Sequence, residues 1–266
     1  MVTQWGLATD TGGRRSANED AALAQPPVFV VADGMGGHAR GEMASATVVE
    51  ALRELAERGG EIDAADVEAA LSAAGTRIRE TMAAEAASRG LGDPEAVAGT
   101  TVAGVVRTVQ HGEAYWLVLN VGDSRVYRYA DGELRQVSVD HSLVQEMVDA
   151  GTLSRAAART HPRRNVITRA IGTGTDVEVD FWMLRVLPEE RLLLCTDGLV
   201  GELDDEQIAE VLGTVGDPAE AAQALVRRAT DGGANDNVTV VVVDSDGQEA
   251  AETTAPSGGG TAPAGA

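Results

Sequence analysis

The sequence predicts an α+β fold built on antiparallel sheets, and three observations carry the prediction. Apolar and β-branched runs follow one another between residues 100 and 137, separated by turn signals and not by helices. Stretches with helical periodicity fall in separate blocks, at 41–88 and 205–230. The regular strand–helix alternation of a doubly wound parallel sheet is missing.

Taken in order, Gln4 to Thr9 reads as a first strand and Gly12-Gly13 as a turn. Val28 to Ala32 is apolar throughout, as a strand buried on both faces must be. From Gly41 to Arg58 the apolar residues Ala44, Val48, Ala51, Leu52 and Leu55 recur at helical spacing, which leaves Glu50, Arg53 and Glu57 for solvent. Asp63 is a candidate N-cap for a second helix over Ala64 to Ser88. Thr100 to Val109, Ala114 to Val121 and Arg125 to Tyr129 read as consecutive antiparallel strands. Asp131-Gly132 is a hairpin signal leading into Leu134 to Val137.

The segment 141–176 has a different texture: a short helix over Leu143 to Ala150, then Arg155, Arg159, Arg163, Arg164 and Arg169, then Gly172 and Gly174. It reads as a mobile flap. Strands resume at Val177 to Leu184 and Arg191 to Cys195, helices at Asp205 to Leu212 and Pro218 to Thr230, and a last strand at Val238 to Val243. Residues 1–244 form one expected domain. From 245 to 266 the chain is mostly Gly, Ala, Pro, Ser and Thr, too poor in apolar residues to build a core, and is expected to be disordered.

Composition removes several function classes. The 42 acidic against 21 basic residues give a net charge of -21, which opposes binding to nucleic acid or an anionic membrane surface. Every basic residue counted there is arginine, so a P-loop lysine, a Schiff base and a pyridoxal linkage are excluded. The single cysteine, Cys195, ends an apolar run and reads as a buried strand residue; a cysteine phosphatase would place an arginine where this chain has Gly201. The chain carries no apolar stretch of membrane-spanning length and no signal-peptide pattern, so a cytoplasmic location is expected.

Short acidic motifs carry the chemistry. Asp33 follows the run Phe29 to Ala32, Asp197 follows Leu192 to Cys195, and Asp236 precedes Val238 to Val243, which puts three aspartates at the expected ends of buried strands. If they converge, carboxylates at 4 Å repel by about 4 kcal/mol at an effective dielectric near 20, so counter-charge is required. Oxygen-only ligands select Mg²⁺ or Mn²⁺ over zinc. Taken singly, each motif also suits an ordinary turn or cap: Asp33 before Gly34, Gly36 and Gly37, Asp197 as an N-cap, Asp236 in an Asx-turn, Asp123 between two strands. Arg15, beside Arg14, also suits a plain surface position.

The joint order is more specific. Arg15-Ser16-Ala17-Asn18-Glu19-Asp20, Asp33-Gly34-Met35-Gly36-Gly37-His38, Gly122-Asp123-Ser124-Arg125, Cys195-Thr196-Asp197-Gly198 and Asn235-Asp236-Asn237-Val238-Thr239 occur in that sequence. Together they resemble the bacterial branch of the metal-dependent type 2C (PPM) protein serine/threonine phosphatases. The resemblance runs from about Gln4 to Asp244 and implies a four-layer αββα sandwich of two antiparallel sheets flanked by helices. It implies that Asp33, the Gly34 carbonyl, Asp197 and Asp236 bind two Mn²⁺ or Mg²⁺ ions, that Asp123 joins Asp197 at a third, and that Glu19 and Asp20 act through metal-bound water. Arg15 would hold the substrate phosphate, and hydroxide held between the ions would attack phosphorus in line.

The implied partners are phosphorylated proteins, a Ser/Thr kinase or its substrates. Met35 stands where many eukaryotic relatives have a histidine, and His38 is not assigned a catalytic role. The alternative is a silent pseudophosphatase that binds phosphoproteins as a regulatory module.

Overall fold

The computed structural model describes residues 3–37, 39–89, 97–174 and 177–245. Within them, two antiparallel sheets stack face to face and helices cover each outer face. The strands and helices are β1 (Gln4–Asp10), β2 (Asp20–Gln25), β3 (Val28–Met35), α1 (Ala39–Arg58), α2 (Ala64–Ser88), β4 (Gly99–Thr100), β5 (Val102–Gln110), β6 (Glu113–Val121), β7 (Arg125–Ala130), β8 (Glu133–Gln136), α3 (Leu143–Asp149), α4 (Arg155–Ala158), β9 (Asp180–Arg185), β10 (Arg191–Cys195), α5 (Asp197–Val200), α6 (Asp205–Thr214), α7 (Pro218–Asp231) and β11 (Val238–Asp244). One sheet runs β1-β11-β10-β7-β8 and the other β2-β3-β5-β6-β9, with β4 pairing β3.

The layering follows from strands that are apolar on both faces. In β3, Val28, Val30 and Ala32 pack with α1 and α2 residues such as Val48, Leu52, Leu71 and Ile78, while Phe29 and Val31 face the other sheet. In β11, Val238, Val240 and Val242 pack with Leu225 and Ile208 of the opposite helical layer, and Val241 and Val243 point between the sheets. Each such strand joins two cores, so its side chains alternate between them with no polar face. Trp116 and Phe29, edge to face at 6.5 Å, anchor the middle layer.

The second helix spans the expected residues, and Asp63 caps it in a reciprocal box with Asp66. At the hairpin, Asp131 and Gly132 take φ of 53° and 78° between β7 and β8. Three expectations are corrected. Strands β6 and β7 do not pair: the turn at Gly122 carries the chain from one sheet to the other. Residues 177–179 are not strand, and β9 begins at Asp180. Thr196, not Asp197, is the N-cap of α5.

The flap segment holds α3 and α4 and is pinned at its base by bridges Ser142–Ile167 and Thr100–Ile171. Ser245, which opens the stretch expected to be a tail, is buried, with its hydroxyl donating to the Leu187 carbonyl. Residues 246–266 lie outside the described residues, as does His38. Among the described residues no helix is long and apolar enough to cross a membrane.

Candidate metal centre

Five aspartates from separate parts of the chain meet at the end of the sandwich where β3, β10 and β11 present one rim. Asp33 sits inside β3, directly across from Asp20 of β2 in the antiparallel register. Like charges placed so are destabilising unless something neutralises them. The Asp33 backbone is held on both sides: its N–H donates to Thr101 Oγ1 at 3.0 Å, and its carbonyl accepts from Thr100 Oγ1 and Thr101 N, each at 2.9 Å. Thr101 Oγ1 also shares a 2.7 Å hydrogen bond with Ser124, beside Asp123, so one hydroxyl ties two acidic loops together. Gly34 admits no side chain, because a Cβ there would meet the Gly41 carbonyl of α1 at 2.1 Å.

Asp197 opens α5 immediately after β10. The preceding Thr196 donates its hydroxyl to Asp20 Oδ2 at 2.9 Å and accepts from Thr239 N at 3.0 Å, which joins β10, β11 and β2. Gly198 lets α5 press on the next loop: a Cβ would lie 2.0 Å from the Asn237 carbonyl. Asp236 receives the Asn237 N–H on Oδ1 and the Arg15 guanidinium on Oδ2. Asp123 follows Gly122, whose φ of 101° and close approach to Thr101 turn the chain inward.

Burial dominates the electrostatics. It raises Asp20 to about 7 and Asp123 to about 8, with Asp197 adding repulsion to both. Asp33 is held well above the ordinary carboxylate range by burial and then by Asp20, Asp197, Asp123 and Asp236. Asp197 is raised by burial and by Asp236, offset by a hydrogen bond with Asp33. Oδ1 of Asp20 and Oδ1 of Asp197 are buried with no hydrogen-bond partner among the described residues, an expensive state for a carboxylate oxygen. Among the described residues no group of three or more His, Cys, Asp or Glu side chains is already placed to hold a metal ion. The acids lie within electrostatic range of one another around one rim, and Asp33 and Asp197 share a hydrogen bond.

The expected residues are thus largely brought together: Asp20, Asp33, Asp123, Asp197 and Asp236, with Arg15 at the edge. Glu19 differs. Its N–H and carbonyl hold Asn237 Oδ1, Gly34 N and Ser45 Oγ, while its carboxylate lies against α1, where Oε2 would stand 2.0 Å from a Cβ on Gly41. It is not among the main charges acting on Asp33. Asn237 emerges as a positioning residue that its motif alone did not single out. Its amide donates to the Thr11 and Ala17 carbonyls and its Oδ1 accepts from Glu19, which fixes the Arg15 loop against β11.

A cleft of about 550 Å³ opens beside the ring. Asp123, Asp197 and Asp236 line it together with Arg155, Arg159 and Arg164 of the flap.

The sequence profile described as "Protein phosphatase 2C" matches residues 14–231. The chain belongs to this family. A serine/threonine protein phosphatase PstP of Mycobacterium tuberculosis is 39% identical over 246 residues, which is 92% of this chain and 45% of that protein. The chain therefore spans less than half the length of that relative. A serine/threonine phosphatase Stp of Listeria monocytogenes is 33% identical, with 90% of this chain and 94% of that protein aligned. Among solved structures, the catalytic domain of PstP in complex with two manganese ions superposes with a TM-score of 0.78 at 35% identity, covering 91% of this chain and 97% of that one. The two-sheet architecture of this protein phosphatase 2C chain superposes on that PstP catalytic domain.

Proposed function

We propose that the protein is a metal-dependent phosphoprotein phosphatase that hydrolyses phosphoserine and phosphothreonine. The observation that carries this is the aspartate ring, with two buried carboxylate oxygens lacking any partner among the described residues. An all-oxygen, strongly anionic set of this kind fits Mn²⁺ or Mg²⁺. The manganese-bound relative of the same architecture supports two core ions.

Asp33, Asp197, Asp236 and the Gly34 carbonyl would hold those two ions, and Asp123 with Asp197 a third. Asp20 and Glu19 would act through water. When bound, such cations neutralise phosphoryl oxygens and make a water acidic enough to ionise near neutral pH. The protein side chains orient the substrate. Arg15 presents paired N–H donors for the phosphate, and its pairing with Asp236 keeps the guanidinium at the ring. Burial pushes the Cys195 thiol up to about 12, so no thiolate is available as a covalent nucleophile. The substrates are phosphoproteins in the cytoplasm, and a Ser/Thr kinase or its targets are the natural counterparts. Both the PstP and Stp relatives are named serine/threonine phosphatases.

Hydrolysis of an aryl phosphate and a phosphothreonine peptide should vanish in excess chelator, return with Mn²⁺, and be lost in Asp33→Asn and Asp236→Asn. Undiminished turnover in chelator overturns the proposal.

A further inference from the structure

Most arginines of this acidic chain have found an internal partner: Arg40 pairs with Glu85, Arg125 with Asp140, Arg128 with Glu190 and Arg191 with Asp244. On the flap segment itself, Arg169 is bound to Asp180 at 2.6 Å. Arg155, Arg159 and Arg164 have neither an ion pair nor a side-chain hydrogen bond to any described residue. Arg14 and Arg163 likewise show no side-chain partner among the described residues, but only Arg155, Arg159 and Arg164 share one cleft, and with 42 acidic residues available three unpaired cations there stand out.

Their placement adds a second observation. Arg155 and Arg159 lie one helical turn apart along α4 and its C-cap, on one face. Arg164 follows a turn closed by the Arg164 N–H on the His161 carbonyl. All three line the cleft that Asp123, Asp197 and Asp236 also line, whereas neighbouring Arg163 does not. A peptide whose phosphate reaches the ring extends its flanking residues at ~3.3 Å each, and along the flap those residues meet arginine. Glu202 and Asp205 line the same cleft, and its unpaired cations come from the flap alone.

Resting on the phosphatase reading above, we propose that Arg155, Arg159 and Arg164 read anionic side chains flanking the phosphoresidue. The preferred substrates are phosphoproteins whose phosphorylated Ser or Thr lies in an acidic or multiply phosphorylated segment. Guanidinium forks suit carboxylate and phosphate alike.

Three phosphothreonine peptides separate the sources of charge: one with neutral flanks, one with aspartate flanks, one with a second phosphate. With Mn²⁺ and low salt, each kcat/KM is divided by that for an aryl phosphate, which has no flank and removes general damage from the ratio. The charged peptides should exceed the neutral one by roughly three- to tenfold, as expected for a few exposed ion pairs, and the advantage should shrink as salt rises. The triple variant Arg155→Ala, Arg159→Ala, Arg164→Ala should bring the ratio to about one, while Arg163→Ala keeps it. Equal gains for both charged peptides assign the reading to charge alone, and a larger gain for the doubly phosphorylated one assigns it to phosphate. A ratio near one in the unaltered protein, or a preference that survives the triple substitution, overturns the proposal. Binding of the same labelled peptides to Asp33→Asn, read by fluorescence anisotropy, judges the flank preference separately. If nothing is hydrolysed, the phosphatase reading falls and the binding ratio alone decides for or against the arginines.

Discussion

Arg15 and Asp236, separated by 221 residues in the chain, form a 2.8 Å ion pair at the mouth of the aspartate ring. The cation expected to grip the substrate phosphate is thereby held by an anion expected to grip a metal. The Asp236 hydrogen bond raises the Arg15 pKa further, with Glu19 and Asp33 adding to the effect. Both partners are partly exposed, so the pair acts chiefly as a positioning device and contributes little to stability.

Substituting Arg15 should therefore disturb phosphate binding more than folding. Arg15→Ala should lower kcat/KM by about 10- to 100-fold, as expected for lost charge-assisted hydrogen bonds, and Arg15→Lys should recover only part of it because a point charge replaces a fork. Steady-state kinetics beside a thermal melt test this. A large drop in Tm with unchanged kinetics per folded molecule contradicts it.

Asp33 is buried among four other aspartates that disfavour its charge. In chelator at pH 8, Asp33→Asn should melt at a higher temperature than the parent protein, because an amide removes the cost of burying a carboxyl among like charges. With Mn²⁺ the order should reverse. A parent protein that gains no more from Mn²⁺ than the variant does would falsify this assignment.

The pH dependence has a definite sign. Asp20 and Asp123 titrate at about 7 and about 8 in the fold, above the ordinary carboxylate value of 3.8. The native state then holds more protons than the unfolded chain, so stability falls as pH rises through that window. These groups contribute their full stabilisation below about pH 4 and lose it once pH passes their folded values. In chelator, Tm should decline between pH 5 and pH 9, and Mn²⁺ should flatten the decline above pH 7. A chelated protein whose Tm is level across that range speaks against buried, uncompensated carboxylates.

Gly12 is a backbone control of the centre. Its φ is 74°, and a Cβ would lie 2.1 Å from the Asp236 carbonyl oxygen. Gly12→Ala should cost about 2–3 kcal/mol of stability from left-handed strain and displacement of a close neighbour. It should also weaken activation by Mn²⁺ through the shifted Asp236 loop. Denaturant unfolding and a Mn²⁺ activation curve measure the two effects, and an unchanged activation curve rejects the link.

Local signals were legible where the local code is strong. The helix at Ala64–Ser88 matched to the residue because Asp63 and Asp66 form a capping box and the chain beyond has helical spacing. Strand β2 was missed because Asp20-Ala21-Ala22-Leu23-Ala24-Gln25 has little β-propensity and is a strand only by pairing with β3. Helix α5 was missed because four residues carry no periodicity. Arg191 read as the plain start of an apolar strand. In the fold it pairs with Asp244 and donates to the carbonyls of Leu212, Val215 and Gly216, contacts made across more than twenty residues and invisible to any local pattern.

The chain by itself determined which strands must be buried on both faces, which helices are amphipathic, and that Asp33, Asp197 and Asp236 adjoin apolar strand runs. Those properties reside in side-chain chemistry and short-range spacing. Tertiary packing alone decided that β7 leaves β6 for the other sheet, that five aspartates share one rim while the Glu19 carboxylate turns toward α1, and which arginines keep their charge unmatched. Such outcomes depend on contacts between residues up to more than two hundred positions apart, and it is the burial of two sheets against each other and against their helices that selects them.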